Sequence, residues 1–286
     1  MNLRRGVVLK SEAELEAMRE AGRVNAQALA AAVAIVAPGV RTEEIDQAAA
    51  EVLRAHGAKP AFLGVPGAFP YPATTTVCVN DELVHAIPGK RRLRAGDIVS
   101  IDCGAIVDGF VGDSALTVPV GEVSTEAQHL INVTCEALFL GIDQMREGNR
   151  TGDISAAIQS HVEANGFNVV REYTGHGIGR HMHEDPQVPN YGLAGKGIPL
   201  RAGMTIALEP MVLAGSPETR VLADGWAVAS ADGSLTTHFE HTVAVTSAGP
   251  WILTLLDAPA DGIGYNEFFV GLPARLRHAQ PARARG

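Results

Sequence analysis

The chain contains an imperfect copy of itself, and this constrains its fold more than any other feature. Displaced by 109 positions, GVRTEEIDQAAAEVLRAHG (39–57) lies over GNRTGDISAAIQSHVEANG (148–166), with Gly39/Gly148, Arg41/Arg150, Thr42/Thr151, Ile45/Ile154 and Gly57/Gly166 identical. Displaced by 107, LRAGDIVSID (93–102) lies over LRAGMTIALE (200–209), and both copies end on an acid, Asp102 and Glu209. Two matches in the same order at nearly the same offset point to a duplicated unit. Secondary-structure signals repeat with them. The capping box Ser11-x-x-Glu14 opens a helix over 12–36 that Pro38-Gly39 ends, and Thr42 is expected to cap a second, closed by Gly57. Strand-like runs TTTVCV, DIVSIDCGAIVDG and SALTVPV follow. Helices over 124–147 and from Thr151 to Gly166 come next, then TIALEPMVL, GWAVAS and HFEHTVAVT. The expected architecture is one domain, 1–256, of two αα-plus-sheet halves, about 12–120 and 125–246, facing each other across a shared site. Residues 257–286, rich in Pro, Ala and Gly, read as a flexible tail.

Four acids stand inside these strand-like runs: Asp102 in IVSIDCG, Asp113 in FVGDSAL, Glu209 after TIAL and Glu240 in THFEHTVAV. Side chains alternate faces along a strand, so each acid points either to solvent or into a cavity. Burying one unpaired carboxylate is costly, and burying four together requires cations. Any one of them could be a solvent-facing acid at a strand end. The repeat, however, puts Asp102 and Glu209 at equivalent points, with Asp113 and Glu240 on the strand expected to follow in each half. A histidine could complete a mixed oxygen and nitrogen donor set, which suits Mn(II), Fe(II), Co(II) or Zn(II). Four carboxylates suit two such ions, about 3.5–4 Å apart and bridged. Three histidines are packed into TGHGIGRHMHEDP: His176, His181 and His183. The glycines flanking His176 are expected to let its backbone approach an ion closely.

IDCGAIVDGFVGDSA, TGHGIGRHMHEDP, IALEPM and HFEHT, in this order and spacing, resemble the metal-binding segments of methionine aminopeptidases. The resemblance covers roughly residues 10–250. It implies an α+β pita-bread (creatinase/aminopeptidase) fold of two pseudo-symmetric halves, each two helices and an antiparallel sheet. The short connection between His183 and Glu209 is similar to the bacterial type I form. The implied ligands are Asp102 on one ion, His176 and Glu209 on the other, and Asp113 and Glu240 bridging. The implied reaction is hydrolytic removal of the initiator methionine from nascent proteins with a small second residue, by a water activated between two metal ions (Co, Mn, Fe or Zn). Glu209 would pass the proton, His183 would contact the scissile carbonyl, and His85 would lie toward the leaving group. By its residues alone, His85 in NDELVHAIPG reads as a packed histidine in a strand-to-turn segment; the resemblance reverses that. Tyr71, Thr76, Met182 and Trp226 are candidates for an apolar pocket fitted to a thioether. Ala68, Thr76 and Met182 depart from the commonest bacterial pattern. His181 reads as a bystander, and His241 is expected on the strand face opposite Glu240.

Composition removes several alternatives. A formal net charge of -9 opposes broad nucleic-acid binding, and three cysteines with no CxxC pair suit a reducing compartment. The start, MNLRRGVVLKSEAELE, turns acidic before any signal-peptide core, and the first helix is too polar to span a bilayer. The expected location is therefore cytoplasmic; the resemblance implies a monomer whose partners are nascent polypeptide N-termini. Arg275, Arg277, Arg283 and Arg285 make the tail basic; a ribosome contact is the sharper reading, a solvated tail the plainer one. Prolidases and X-Pro aminopeptidases are the rival enzymes, though they usually carry an additional N-terminal domain. A non-catalytic pita-bread binding module usually lacks part of the ligand set. An oxygen-activating dinuclear protein more often places its Glu-x-x-His ligands on helices, whereas the four acids here stand in strand-like runs.

Overall fold

The computed structural model describes residues 6–258 and 268–269. The first half runs α1 (Glu12–Ala34), α2 (Thr42–Ala55), β1 (Lys59–Pro60), β2 (Thr75–Val79), β3 (Glu82–Val84), β4 (Ile98–Val107) and β5 (Phe110–Pro119). The second half runs α3 (Thr125–Asp143), α4 (Thr151–Ala164), β6 (Asn168–Val169), β7 (Thr174–Gly177), β8 (Glu184–Pro189) and β9 (Thr205–Leu208). It continues with β10 (Met211–Leu213), β11 (Thr219–Val221), β12 (Val228–Ser230), β13 (Thr236–His238), β14 (Glu240–Thr246) and β15 (Gly249–Ile252). Four short strands therefore separate β9 from β14, whereas β4 turns directly into β5 through Asp108-Gly109, both in the left-handed region.

The repeat survives in detail. Gly39 and Gly148 share a φ of 94°, and Arg41 and Arg150 form isolated bridges to Arg92 and Pro199. Thr42 and Thr151 do not cap their helices. The N-cap residues are Arg41 and Arg150, whose backbone N–H groups donate to Glu44 Oε2 (2.8 Å) and Asp153 Oδ2 (2.7 Å). The two threonine hydroxyls instead accept the N–H groups of Gly89 and Ile198, tying each helix start to the strand region below it. A side chain that anchors a neighbouring loop is no longer free to cap.

The main sheet is antiparallel, in the order β1-β4-β5-β14-β9-β7-β8, with β2 also on β4 and β15 also on β14. The halves meet between β5 and β14. The helices lie behind this sheet. Asn25 of α1 donates to Ser114 Oγ of β5 at 2.7 Å, and Phe139 of α3 lies 6.0 Å from the His241 ring of β14. At Gly112 an added Cβ would fall 2.6 Å from the Gly22 backbone, so this glycine pair sets how closely α1 crosses β5. The core is aliphatic and fills the space between helices and sheet. The expected tail needs one correction. Phe268 and Phe269 are buried in that core, Phe268 stacking on His241 at 4.1 Å, because these two aromatic rings complete packing behind β14 that the repeat leaves open.

Candidate metal centre

Strand register converts the scattered acids into a cluster. On one face of the sheet, Thr76 opposes Asp102, Asp102 opposes Ala115, and Ala115 opposes Glu240. Continuing the β14–β9 register by one residue puts Glu209 opposite Glu240. The adjacent row on the same face begins with Gly104 opposite Asp113. It passes to Thr242, whose hydroxyl bonds both the N–H and the carbonyl of Asp113, then to Ala207 and to His176. Two neighbouring rows thus hold Asp102, Asp113, His176, Glu209 and Glu240, and small residues fill the places between them. Ser114 and His241 alternate to the helical face. His241 is fixed there by a 2.8 Å bond to Thr254 Oγ1.

Exposure is 8% at Asp102, 4% at Asp113, 7% at His176 and 2% at Glu240. Burial raises the pKa of all four carboxylates, Asp102 to about 7 and the others well above the usual range; mutual repulsion adds to this at Asp113 and Glu240. Asp102 Oδ1, Asp113 Oδ1 and Glu240 Oε1 are buried without a hydrogen-bond partner. Buried polar atoms are normally satisfied, so orphaned oxygens converging on one space fit a cation-binding site. Ligand atoms of Asp113, His176 and Glu240 lie within 4.8 Å of one another, as do those of Glu209, His238 and Glu240. The two groups share Glu240 and form one continuous donor cluster.

His176 is prepared as a nitrogen donor. Its Nδ1 lies 3.0 Å from the Gly177 carbonyl, which leaves Nε2 as the lone-pair nitrogen, 3.5 Å from Glu209 Oε1. Burial depresses its pKa to about 4, so it stays neutral, as a ligand must. The flanking glycines serve space rather than freedom. A Cβ on Gly175 would fall 2.7 Å from the Ala207 carbonyl oxygen, and one on Gly177 would collide with that of Asp185. His183 lies with its ring centroid 4.4 Å from that of His176. Its turn is held by Glu184, which accepts the Arg180 and His181 N–H groups and pairs with buried Lys10 at 2.6 Å. His181 is exposed and contributes only backbone bonds. His85 sits at the strained φ of 63°, its ring open to solvent and edge-on to Tyr173. Surrounding protein, then His238 and His183, lower its pKa.

The pocket candidates divide. Thr76 borders Asp102, and the Met182 methyl lies where a Cβ on Gly104 would be, so both touch the ligand rows. Tyr71 and Trp226 pack edge-to-face at 5.0 Å. The Tyr71 hydroxyl lies 3.0 Å from both the Thr75 and Ala86 carbonyls, so it braces the start of β2. Asp46 of α2 accepts the N–H groups of Thr74 and Thr75 and holds the same segment from below. One residue escaped the sequence reading: His238, whose Nε2 lies 3.6 Å from Glu209 Oε2 and 3.7 Å from Glu240 Oε2. Alternation would have found it, since it stands two residues before Glu240.

The model of metallopeptidase family M24 matches residues 16–247. The chain belongs to metallopeptidase family M24. Among M24 relatives, a methionine aminopeptidase of Clostridium perfringens is 48% identical over 250 residues, 87% of this chain and 99% of that one. The crystal structure of the Thermotoga maritima methionine aminopeptidase superposes with a TM-score of 0.85 at 43% identity, covering 87% of this chain and 99% of that one. The prolidase of Pyrococcus horikoshii shares the fold at a TM-score of 0.69 and 22% identity, with 87% of this chain over 64% of that one. The M24 fold of this chain is thus the α+β pita-bread architecture that the resemblance implied, built from the two halves expected from the repeat. Among the described residues, no helix is long and apolar enough to cross a membrane.

Proposed function

We propose that this M24 enzyme is a methionine aminopeptidase, removing the initiator methionine from nascent polypeptides with a small second residue. The observation that carries the reading is the pair of adjacent rows holding five buried donors on one sheet face, in a chain 48% identical to a methionine aminopeptidase. Asp102, Asp113, His176, Glu209 and Glu240 would hold two divalent ions, drawn from Co, Mn, Fe and Zn. When bound, such ions supply Lewis acidity, lowering the pKa of a water and polarising a carbonyl.

The protein's own groups do the rest. Glu209, at 13% side-chain exposure, is the acid of the rows most open to the cleft. It takes the proton from the attacking water and delivers it to the leaving amine. His183, kept neutral by its surroundings, donates to the carbonyl oxygen as negative charge develops there. His85, across the cleft, orients the leaving-group side. Thr76, Met182, Tyr71 and Trp226 receive the methionine side chain. The enzyme acts as a cytoplasmic monomer on emerging N-termini. The basic residues Arg275, Arg277, Arg283 and Arg285, proposed to touch the ribosome, lie outside the described residues.

Cleavage of Met-Ala-Ser after chelation and readdition of each metal, with Glu209→Gln alongside, tests this. Restored cleavage in the wild type and its loss in the variant support the reading. Preference for X-Pro peptides over Met-Ala-Ser would move the chain to the prolidase side of the family.

A further inference from the structure

His238 stands in a third row of the same sheet face. Continuing the β5–β14 register puts it opposite Thr117, and Met211 pairs with it on the other side. Its backbone is clamped: the His238 N–H donates to Thr117 Oγ1 at 2.9 Å, and Thr117 Oγ1 lies 3.0 Å from the His238 carbonyl. Thr117 is itself held by Ser100 at 2.8 Å. The ring is 2% exposed, and its Nε2 has no hydrogen-bond partner. A buried ring nitrogen so placed is normally satisfied.

Its neighbours show what satisfies it. The gaps of 3.6 Å to Glu209 Oε2 and 3.7 Å to Glu240 Oε2 are too long for hydrogen bonds. They match the spacing across an ion. Donors each about 2.1 Å from a divalent metal stand roughly 3–3.7 Å apart at ordinary bond angles. His176 Nε2 makes the corresponding approach to the other oxygen of Glu209, at 3.5 Å. The Glu209 carboxylate is therefore flanked by two imidazoles, one per oxygen.

We propose that His238 is a sixth metal-ligating side chain, its Nε2 binding the ion that Glu209 and Glu240 also hold. This rests on reading the cluster as a metal centre. It makes the centre richer in nitrogen than five ligands imply, which biases it toward borderline metals such as Co(II), Fe(II) and Zn(II) over Mn(II).

The test is proton NMR of the Co(II)-loaded protein, where each coordinated imidazole gives a paramagnetically shifted, exchangeable ring N–H. The wild type should show two such signals, one lost in His176→Ala and the other in His238→Gln. Calorimetric titration with Co(II) should show one ion bound at least tenfold more weakly in His238→Gln. A single signal in the wild type, lost in His176→Ala, overturns the sixth ligand while leaving the metal centre standing, and it does so whether or not His238→Gln folds. No Co(II) binding by the wild type overturns both. Two wild-type signals that persist in His238→Gln, with unchanged affinity, also overturn the assignment.

Discussion

Where β4 carries Asp102, Glu209 directly follows β9; where β2 opposes Ser100 with Cys78, β7 opposes the equivalent Ala207 with His176. The backbone frame is repeated, down to the left-handed glycines at 39 and 148 and at 96 and 203. The donors are not. The first half brings only carboxylates to the centre, Asp102 and Asp113. The second brings two carboxylates and, with His176 and His238, imidazole nitrogen. Cys78 withholds its sulfur: burial pushes the thiol pKa up, and Sγ accepts the Ala86 N–H at 3.4 Å. Duplication supplies two matching positions, and the side chains that surround them differ in donor chemistry.

The sharpest way to break this comparison is to remove each equivalent acid in turn. Asp102→Asn and Glu209→Gln should each lower kcat on Met-Ala-Ser by about 10³-fold, the scale of losing a positioned acid-base group. Metal analysis should show one ion lost in each, with the residual ion held by nitrogen only in Asp102→Asn. Equal donor sets in both variants would erase the asymmetry.

A second difference is the packing behind the second half, where Phe268 covers His241. Phe268→Ala should cost about 3–5 kcal/mol, the usual range for a buried Phe. Denaturant unfolding reads this directly; a loss below about 1 kcal/mol would mean the stack is incidental.

Metal removal comes next in size. Ion present at about 100 times its Kd stabilises by about 2.7 kcal/mol, worth roughly 5–10 °C in Tm for a domain of this size. The pH dependence sharpens it. The cluster carboxylates have raised folded pKa values, Asp102 about 7 and the others well above the usual carboxylate range. The stability they contribute when protonated is complete below their unfolded pKa and is lost as pH rises through the folded values. His85, His176, His183 and His238 are depressed, so above pH about 7.5, a unit over the ordinary imidazole value, they are neutral whether folded or unfolded. Between about pH 7.5 and 8.5 the chelated protein should therefore lose Tm steadily. The loaded protein should not, since deprotonation favours its ions. Parallel slopes would refute the cluster assignment.

The smallest effect belongs to Cys78. Cys78→Ser should leave metal content unchanged and kcat within about threefold, at a stability cost of about 1–2 kcal/mol for a buried hydroxyl.

Much of this was legible before any coordinates. The duplicated segments marked the halves, and the acids closing LRAGDIVSID and LRAGMTIALE marked the centre. His241 was rightly set on the far face by alternation. The same rule, applied two residues upstream of Glu240, would have yielded His238. Its signal is masked because the strand pairing breaks at Phe239, between β13 and β14. Thr42 was misread as a cap because helix-start statistics are local, while its bond to Gly89 spans distant chain. Phe268 and Phe269 were assigned to a tail on composition, which does not register what two aromatic rings can cover.

The seam where β5 meets β14 spans only two registered pairs, Glu240 with Ala115 and His241 with Ser114, against ten between β4 and β5. Yet Asp113 stands on one side of that seam and Glu240 on the other. A cation gripped by both is a reversible cross-link between chain segments far apart in sequence, closing a long loop as a disulfide would. Unlike a disulfide, it answers to the supply of a small inorganic solute. Amide exchange along β5 and β14 would then slow as metal binds and quicken as it is withdrawn.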